Sequence, residues 1–559
     1  MSTGNETCPA ELPNWCAQRH WGIFWILIVA SVAMVAARVL ALMSVGDPDS
    51  LPFFSANDRS RWITVRALVD HGTFEIDKVL ASDNGRQWDT IDKVRQVGRD
   101  GQFHFYSSKP PLLSIVVAGG YGLLKALFGW QIETDTNLVV ATLLLLTNVL
   151  LWAIFLWFVA RMINSVPVRD WARYFVLGCA GFATFLGSFT VTLNNHLPAA
   201  VWVMISLYLV SEIVRRNNLA WRYFFGAGFF SAAAVANELP ALAFCGMVGL
   251  VCGWLSIRQT LLGFVPAVGI VLTCVLGCNW WAWGQSRPAY NQRTDGQVLA
   301  TVSGQFDDTL DRGEIPNEIR TSIPFAGKFV EPFVEKGKWP GTPLNQKRWV
   351  IRDRDHRSVS QLAVVSFRDV TVSTEAAELS TYDIRAWGNW YDYPGSYWLT
   401  DFPRKSAIDE GQTSVQLYAF HLLFGHHGVF SLSPIWILSF AGMFALIGGA
   451  RMGGRFQMRW LGFLALIVTV VVFSFYLSRP VMDRNYGGYC CTARWLLWLV
   501  PIWLMTMLPV VDWLGRNRWG QWICFVLLFT SAASAMVHSN NPWTLPWLYR
   551  LWPLTGLPL

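Results

Sequence analysis

The sequence predicts an α-helical polytopic membrane protein with about 11 transmembrane helices, a large first extracytoplasmic loop and a mixed or β-rich extracytoplasmic domain. Three observations lead there. Of the 559 residues, 53% are hydrophobic and only 14% are charged, where a soluble domain carries about a quarter charged. Around a dozen apolar runs of roughly 17–25 residues recur along the chain, the length a helix needs to cross the hydrocarbon core. Arginines gather in short turns between these runs, as the positive-inside rule asks of cytoplasmic turns. Those turns account for the net charge of +7, so no nucleic-acid partner is expected.

The polar start "MSTGNETCPAELPNWCAQRHWG" precedes the first apolar run, "GIFWILIVASVAMVAARVLALM". A secretory signal has a basic start, a shorter core and a small-residue cleavage site. This run is too long and too uniformly apolar for that, and it reads as an uncleaved first span. Further runs begin near Asn137, Arg173, Leu197, Arg222, Pro240, Thr260, Val429, Trp460, Arg494 and Gln521. Basic turns separate some of them: "RMINSVPVRDWAR" (161–173), "RRNNLAWR" (215–222), Arg258, "RMGGRFQMR" (451–459) and "RNR" (516–518). Setting all five turns in the cytoplasm threads the chain after Asn137 without contradiction, with a cytoplasmic N-terminus and an outer C-terminus.

That parity bears on "FYSSKPPLLSIVVAGGYGLLKALFG", which starts at Phe105. The first span leaves the cytoplasm, and the run from Asn137 must start outside to end at Arg161 inside. A complete crossing by residues 111–129 would break the pattern. The run also carries Gly119, Gly120, Gly122, Tyr121 and Lys125, so it is expected to lie in the outer interface or to re-enter.

Three regions follow: an N-terminal membrane module (1–283) containing a first outer loop (45–136), an outer soluble domain or long loop (284–428), and a C-terminal membrane module (429–559). In the first loop, "RWITVRALVDHG" has apolar residues at helical spacing with arginines between them, an amphipathic helix for the membrane surface. In the second region, "SQLAVVSFRDVTVS" is strand-like. None of the ten cysteines lies in 284–428, so no disulfide framework is expected there.

Ionisable groups near a membrane are costly and mark function or deliberate pairing. They concentrate at the outer ends of the spans: Asp47, Asp49, Asp58, Lys109, His196, Glu238, His426, His427, Asp483, Arg484 and Arg494. An outer-facing polar cavity under two large loops is the simplest arrangement.

At these residues the chain resembles the GT-C glycosyltransferases, in the branch of protein O-mannosyltransferases and aminoarabinose (lipid A) transferases. The family pattern D-x-x-R-[YW] is matched by Asp58, Arg61 and Trp62. Its following glycine is matched by Gly72, and its K-P-P-L element by Lys109, Pro110, Pro111 and Leu112. "GSFTVTLNNHLPAAVWV" stands where the family has a second polar patch, and "NYGGYCCTARWLLWLVP" is similar to Y-G-G-x-x-x-x-x-R-[YW]-L segments. Two positions depart: Arg59 replaces an acidic residue, and Asn194, Asn195 and His196 stand where an Asp is usual. The match covers roughly residues 45–200 and a weaker patch at 486–496; nothing comparable covers 284–428.

The resemblance implies transfer of a sugar from a polyprenyl-phosphate donor to a protein, lipid or glycan acceptor, at the outer face of a bacterial inner (plasma) membrane. Such a reaction needs a carboxylate to take the acceptor proton and cations to balance charge on the departing phosphate. Asp58 is the candidate base; its alternative role is a helix cap. Lys109 is the candidate phosphate partner, and its alternative is an interfacial, snorkelling lysine. The paired prolines hold the chain before them extended, fixing the lysine ahead of the apolar run. Arg494 and Arg61 are further candidate donor-phosphate cations. Asn195, His196, Glu238, Tyr486 and His427 form a possible polar pocket, with packing or interfacial roles as their alternatives. The "DPD" at Asp47 and Asp49 is a weak oxygen-ligand pair for Mg²⁺ or Mn²⁺, and Gly46 with Pro48 equally describes a turn.

Two other functions fit the composition. A flippase or transporter of lipid-linked saccharides would show repeated halves, and no such symmetry is present. A membrane-anchored glycan-binding or assembly protein would use aromatic clusters such as "RAWGNWYDYPGSYW".

Overall fold

The computed structural model describes residues 14–44, 52–82, 87–322, 329–336, 346–353, 360–367, 380–398, 407–450 and 458–556. The candidate metal pair Asp47 and Asp49 falls outside them. Each apolar run read from the sequence forms helix, beginning with α1 (Asn14–Ala41).

Among the described residues, seven helices are long and apolar enough to cross a membrane: Trp21–Ala41, Pro111–Phe128, Thr136–Asn164, His196–Arg216, Ile257–Trp283, Arg459–Leu477 and Arg518–Val537. An eighth is added if the pair Arg494–Thr506 and Leu508–Leu514, bent by 46°, counts as one span. Pro509 opens the second half of that pair and cannot continue the amide ladder. Four expected spans give shorter helices, Asp170–Phe182, Trp221–Asn237, Leu239–Leu255 and Trp436–Ile447. Each falls below the roughly 20 residues of a straight crossing. Among the described residues, length and apolarity alone thus mark seven or eight candidate spans, Pro111–Phe128 among them, and the four shorter helices account for the rest of the expected count of about 11.

The first loop folds into helices and a hairpin. Helix α2 (Ala56–His71) starts at Ser55, whose side chain accepts from Asp58 N, and stops at Gly72 in the left-handed conformation (φ 70). The arginine-bearing helix expected at 61–72 is thus present, but it is no open surface helix: Asn57, Asp58 and every residue from Ser60 to Ala67 are buried. After the short α3 (Asp77–Ser82), β1 (Lys93–Val97) and β2 (Phe103–Ser107) pair antiparallel, with Lys93 opposite Ser107. Helix α4 (Pro111–Phe128) follows, with Pro110 and Pro111 at its entry and Gly129 at its exit.

Helix directions divide the bundle into two ends. His196–Arg216 turns through the left-handed Asn217 into Trp221–Asn237. Arg216 and Arg222 therefore share one end, and His196 and Glu238 the other. Asn148, midway along Thr136–Asn164, donates to the carbonyls of Thr190 and Thr192 (2.9 and 2.7 Å) at the His196 end. Arg161, further along, reaches Tyr208, twelve residues beyond His196 on its helix (3.2 Å). Thr136 thus lies at the His196 end, as does Lys109. Although α4 has the length and composition of a span, it starts and finishes at one end of the bundle. It lies along α2, with the Tyr121 hydroxyl and the Lys125 ammonium both on Asp70 (3.0 and 2.7 Å).

The strand-like reading of 360–373 holds for its described part. Strands β3 (Val298–Gly304), β4 (Pro332–Lys336), β5 (Gln346–Asp353), β6 (Gln361–Phe367) and β7 (Ser380–Ala386) make one antiparallel sheet in the order β3-β7-β6-β5-β4. Residues 368–373 fall outside the described chain. Trp349, Ile351, Val364, Tyr382 and Ile384 form its core. A buried ion network ties the sheet to the segment after β7: Arg348 grips Asp295 (2.8 and 2.6 Å) and Asp392 (3.0 Å), and Arg352 pairs with Asp392 and Glu335. That segment meets the hairpin through Arg95 N donating to Trp390 O (2.8 Å). The sheet is thereby joined, through Asp392 and Trp390, to the hairpin whose exit carries Lys109.

Candidate active site

Five separate segments supply the polar side chains at the His196 end. α2 brings Asn57, Asp58 and Arg61; the hairpin and its exit bring Asp92 and Lys109; the entry of His196–Arg216 brings Asn195 and His196. The break between Trp221–Asn237 and Leu239–Leu255 brings Glu238, and the turn before the bent pair brings Arg494.

Glu238 is the hub. The extended residue (φ −133, ψ 103) interrupts two helices, because Pro240 cannot sit inside a continuing helix. Its Oε1 accepts from Asn195 Nδ2 (2.6 Å) and pairs with His196 Nδ1. Asn195 turns its Oδ1 to Arg61, which donates from Nη2 (2.5 Å). Arg61 is also tied to Asn57, through the backbone oxygen (2.9 Å) and the side-chain oxygen. His196 Nε2 lies 3.4 Å from Arg494 Nη1. With Nδ1–H given to Glu238, that nitrogen is left as the acceptor. The chain Arg61–Asn195–Glu238–His196–Arg494 thus alternates donors and acceptors without a gap.

Three cations converge. Arg61 is nearly fully buried, and burial pushes its guanidinium down to about 10; nearby Arg494 adds to the effect, while Asp58, Asp92 and Glu238 oppose it. Lys109 is pushed down to about 8, first by burial, with Arg61 and Arg494 acting in the same sense and Asp92 against. Its ammonium pairs with Asp92 (2.9 Å). Its amide donates to Ser107 Oγ (3.1 Å), whose hydroxyl meets Ser60 (2.7 Å). Pro110 is extended (φ −53, ψ 133) before the helix begins, so the prolines hold Lys109 off α4 as the sequence suggests. Arg494 lies on the Trp543 ring (4.8 Å) and donates from Nε to the Gly487 carbonyl (2.6 Å).

Asp58 stands apart from that chain. It is fully buried; Oδ1 accepts from Leu193 N (3.1 Å) and Oδ2 from Phe54 N (3.4 Å). Burial raises its carboxyl to about 7, against the two backbone amides and Arg61. The alternative role as the helix N-cap is corrected: the helix begins at Ala56 with Ser55 as its N-cap, and Asp58 sits in the first turn.

The expected pocket divides in two. Asn195, His196 and Glu238 come together with the cations. Tyr486 and His427 lie behind the turn in an aromatic cluster with His421, His426, Tyr418 and Trp552. Burial holds His426 down at about 3 and His427 well below its usual range. Among the described residues no group of three or more His, Cys, Asp or Glu side chains is placed to hold a metal ion. Sequence reading missed Asp92, Asn57 and Trp543. Asp92 carries no local signal in "DTIDKVRQV"; its role exists only because the hairpin sets it against Lys109. Arg293, which the sequence did not single out, pairs with Asp483 (3.2 Å), one of the expected outer ionisable groups, and lies over Tyr391 (4.8 Å).

The solved structure of the S. cerevisiae protein O-mannosyltransferase Pmt1-Pmt2 complex bound to the sugar donor is similar to this chain. The likeness has a TM-score of 0.40 and 12% identity, over 96% of this chain and 92% of that one. At that level it carries no argument about the chemistry. No family model and no curated protein sequence matches.

Proposed function

We propose that this chain is an integral-membrane glycosyltransferase that moves a sugar from a polyprenyl-phosphate donor to an acceptor hydroxyl at the extracytoplasmic face. The observation that carries the reading is the convergence of Lys109, Arg61 and Arg494, from three distant segments, on a buried end of the bundle. Three cations drawn together out of water repel one another, and an anion between them relieves that cost. The departing lipid phosphate is such an anion. Lys109 acts as a point charge and the two arginines as forks.

In the reaction the acceptor oxygen bonds to the anomeric carbon as the carbon–phosphate-oxygen bond breaks, and the electron pair leaves on the phosphate. The acceptor proton passes to a carboxylate. Asp58, with its carboxyl near 7, has the affinity a general base needs at neutral pH. One observation favours Glu238 as a second reading. Both Asp58 oxygens already accept backbone amides, whereas Glu238 Oε2 has no protein donor among the described residues.

The orientation follows the arginine turns. The basic turns at Arg161, Arg216, Arg258 and Arg518 mark the opposite end from the site, which makes that end cytoplasmic. The N-terminus is then cytoplasmic, and α4 rests along the outer face. Purified protein in lipid, supplied with polyprenyl-phosphate sugars, should release the carrier phosphate. Absence of release with every donor and acceptor class, or translocation without turnover, overturns the reading.

A further inference from the structure

We propose that Tyr486 is a positioning residue for Arg494, held in a strained backbone conformation by stacking on His427 so that the Gly487 carbonyl meets the guanidinium. The role assigned to Arg494 rests on the functional reading above; the geometry of its support does not.

Among the described non-glycine residues, Asn217 and Tyr486 have positive φ. Asn217 ends a helix, a place where asparagine tolerates the left-handed region. Tyr486 (φ 56) has no such excuse, since a bulky side chain there is a steric outlier. Gly487 (φ 102) and Gly488 (φ 79) follow, so three successive residues turn the same unusual way. A conformation of this kind persists only where its surroundings over-determine it, and such places cluster at functional sites.

The surroundings here are specific. The buried Tyr486 ring lies parallel to His427 (4.6 Å, 11°) and against Tyr418 (4.9 Å). Asn485 closes the turn, its Oδ1 accepting from Gly487 N (3.2 Å) and its carbonyl from Gly488 N (2.8 Å). The turn aims the Gly487 oxygen at Arg494 Nε (2.6 Å). A Cβ at position 487 would stand 2.8 Å from Arg494 Cγ, so the arginine stem occupies the space that the glycine leaves. The Trp543 ring under the guanidinium and His196 at Nη1 complete the hold on Arg494. Tyr486 and His427 therefore belong to the site without lining it: their rings fix the backbone that fixes the cation.

The test uses the full chain in detergent, with Tyr486→Phe, Tyr486→Ala, His427→Phe and His427→Ala. Arg494 modification by phenylglyoxal is followed by peptide mass spectrometry, a readout that needs no donor. Tyr486→Phe and His427→Phe keep the stack and should react as slowly as the parent, whereas Tyr486→Ala and His427→Ala should react several-fold faster. Where donor turnover is measurable, Tyr486→Ala should lower kcat about 10-fold or more, and the loss should vanish in an Arg494→Ala background. Unchanged Arg494 reactivity in both alanine variants overturns the proposal, as does an equal kcat loss with and without Arg494. A parent protein that turns over no donor overturns the glycosyltransferase reading alone, because the modification rates still decide the positioning. Should Tyr486→Ala fail to fold, the His427 pair gives the same comparison.

Discussion

Arg61 and Glu238 share one asparagine: Asn195 accepts from Arg61 through Oδ1 (2.5 Å) and donates to Glu238 through Nδ2 (2.6 Å). A neutral amide thereby holds a buried cation and a buried carboxylate in register without a direct ion pair. Asn195→Leu should remove one hydrogen bond from each partner, leaving Arg61 on Asn57 and Glu238 on His196. The expected loss of stability is about 1–3 kcal/mol, read as a lower thermal midpoint in detergent. Asn195→Asp should disturb the site differently, since it places a second carboxylate against Glu238. An unchanged midpoint in Asn195→Leu would show that the bridge is not structural.

Asp58 and Glu238 make opposite predictions for the base. If Asp58 takes the acceptor proton, Asp58→Asn should lower turnover by about 10²–10⁴-fold, and the parent rate should rise with pH through about 7. If Glu238 does so, Glu238→Gln should carry that loss and the Asp58 variant should remain active. Asp58 also makes a stability prediction. Its carboxyl, ordinarily at 3.8, is raised to about 7 in the fold, so between those values the native state binds the extra proton. Parent stability should therefore fall as pH rises across that window, and Asp58→Asn should flatten the fall.

Lys109 titrates with the opposite sense. Its ammonium is lowered from 10.5 to about 8, so between those values the unfolded chain binds the extra proton and stability should rise with pH. Donor binding should weaken over the same window, as the lysine loses its charge. Lys109→Met should abolish both trends and bind donor more weakly than the parent at pH 7. Pulldown of a radiolabelled polyprenyl-phosphate sugar measures the binding, and a persistent alkaline loss of affinity in Lys109→Met would assign it elsewhere.

The position of α4 is open to chemical labelling. A cysteine at the exposed Thr134, between α4 and Thr136–Asn164, should react with a membrane-impermeant maleimide added to intact cells. Labelling only after permeabilisation would mean that α4 crosses.

The sequence by itself determined the membrane class, the positions of the helices, and the end of the bundle where ionisable groups collect. Those are one-dimensional properties: run length, apolarity and arginine placement act within about 20 residues of chain. The D-x-x-R-[YW] and K-P-P-L residues were also legible, since both elements are local. The tertiary structure decided which groups meet. Arg61 and Asn195 are 134 residues apart, Asp58 and Leu193 are 135, and His196 and Arg494 are 298. No local pattern encodes such pairings. It also enclosed Asp58, gave Lys109 its partner Asp92, and moved Tyr486 and His427 from the pocket to the support behind it. Burial and pairing belong to surfaces brought together from distant segments, and they exist only once the chain has packed.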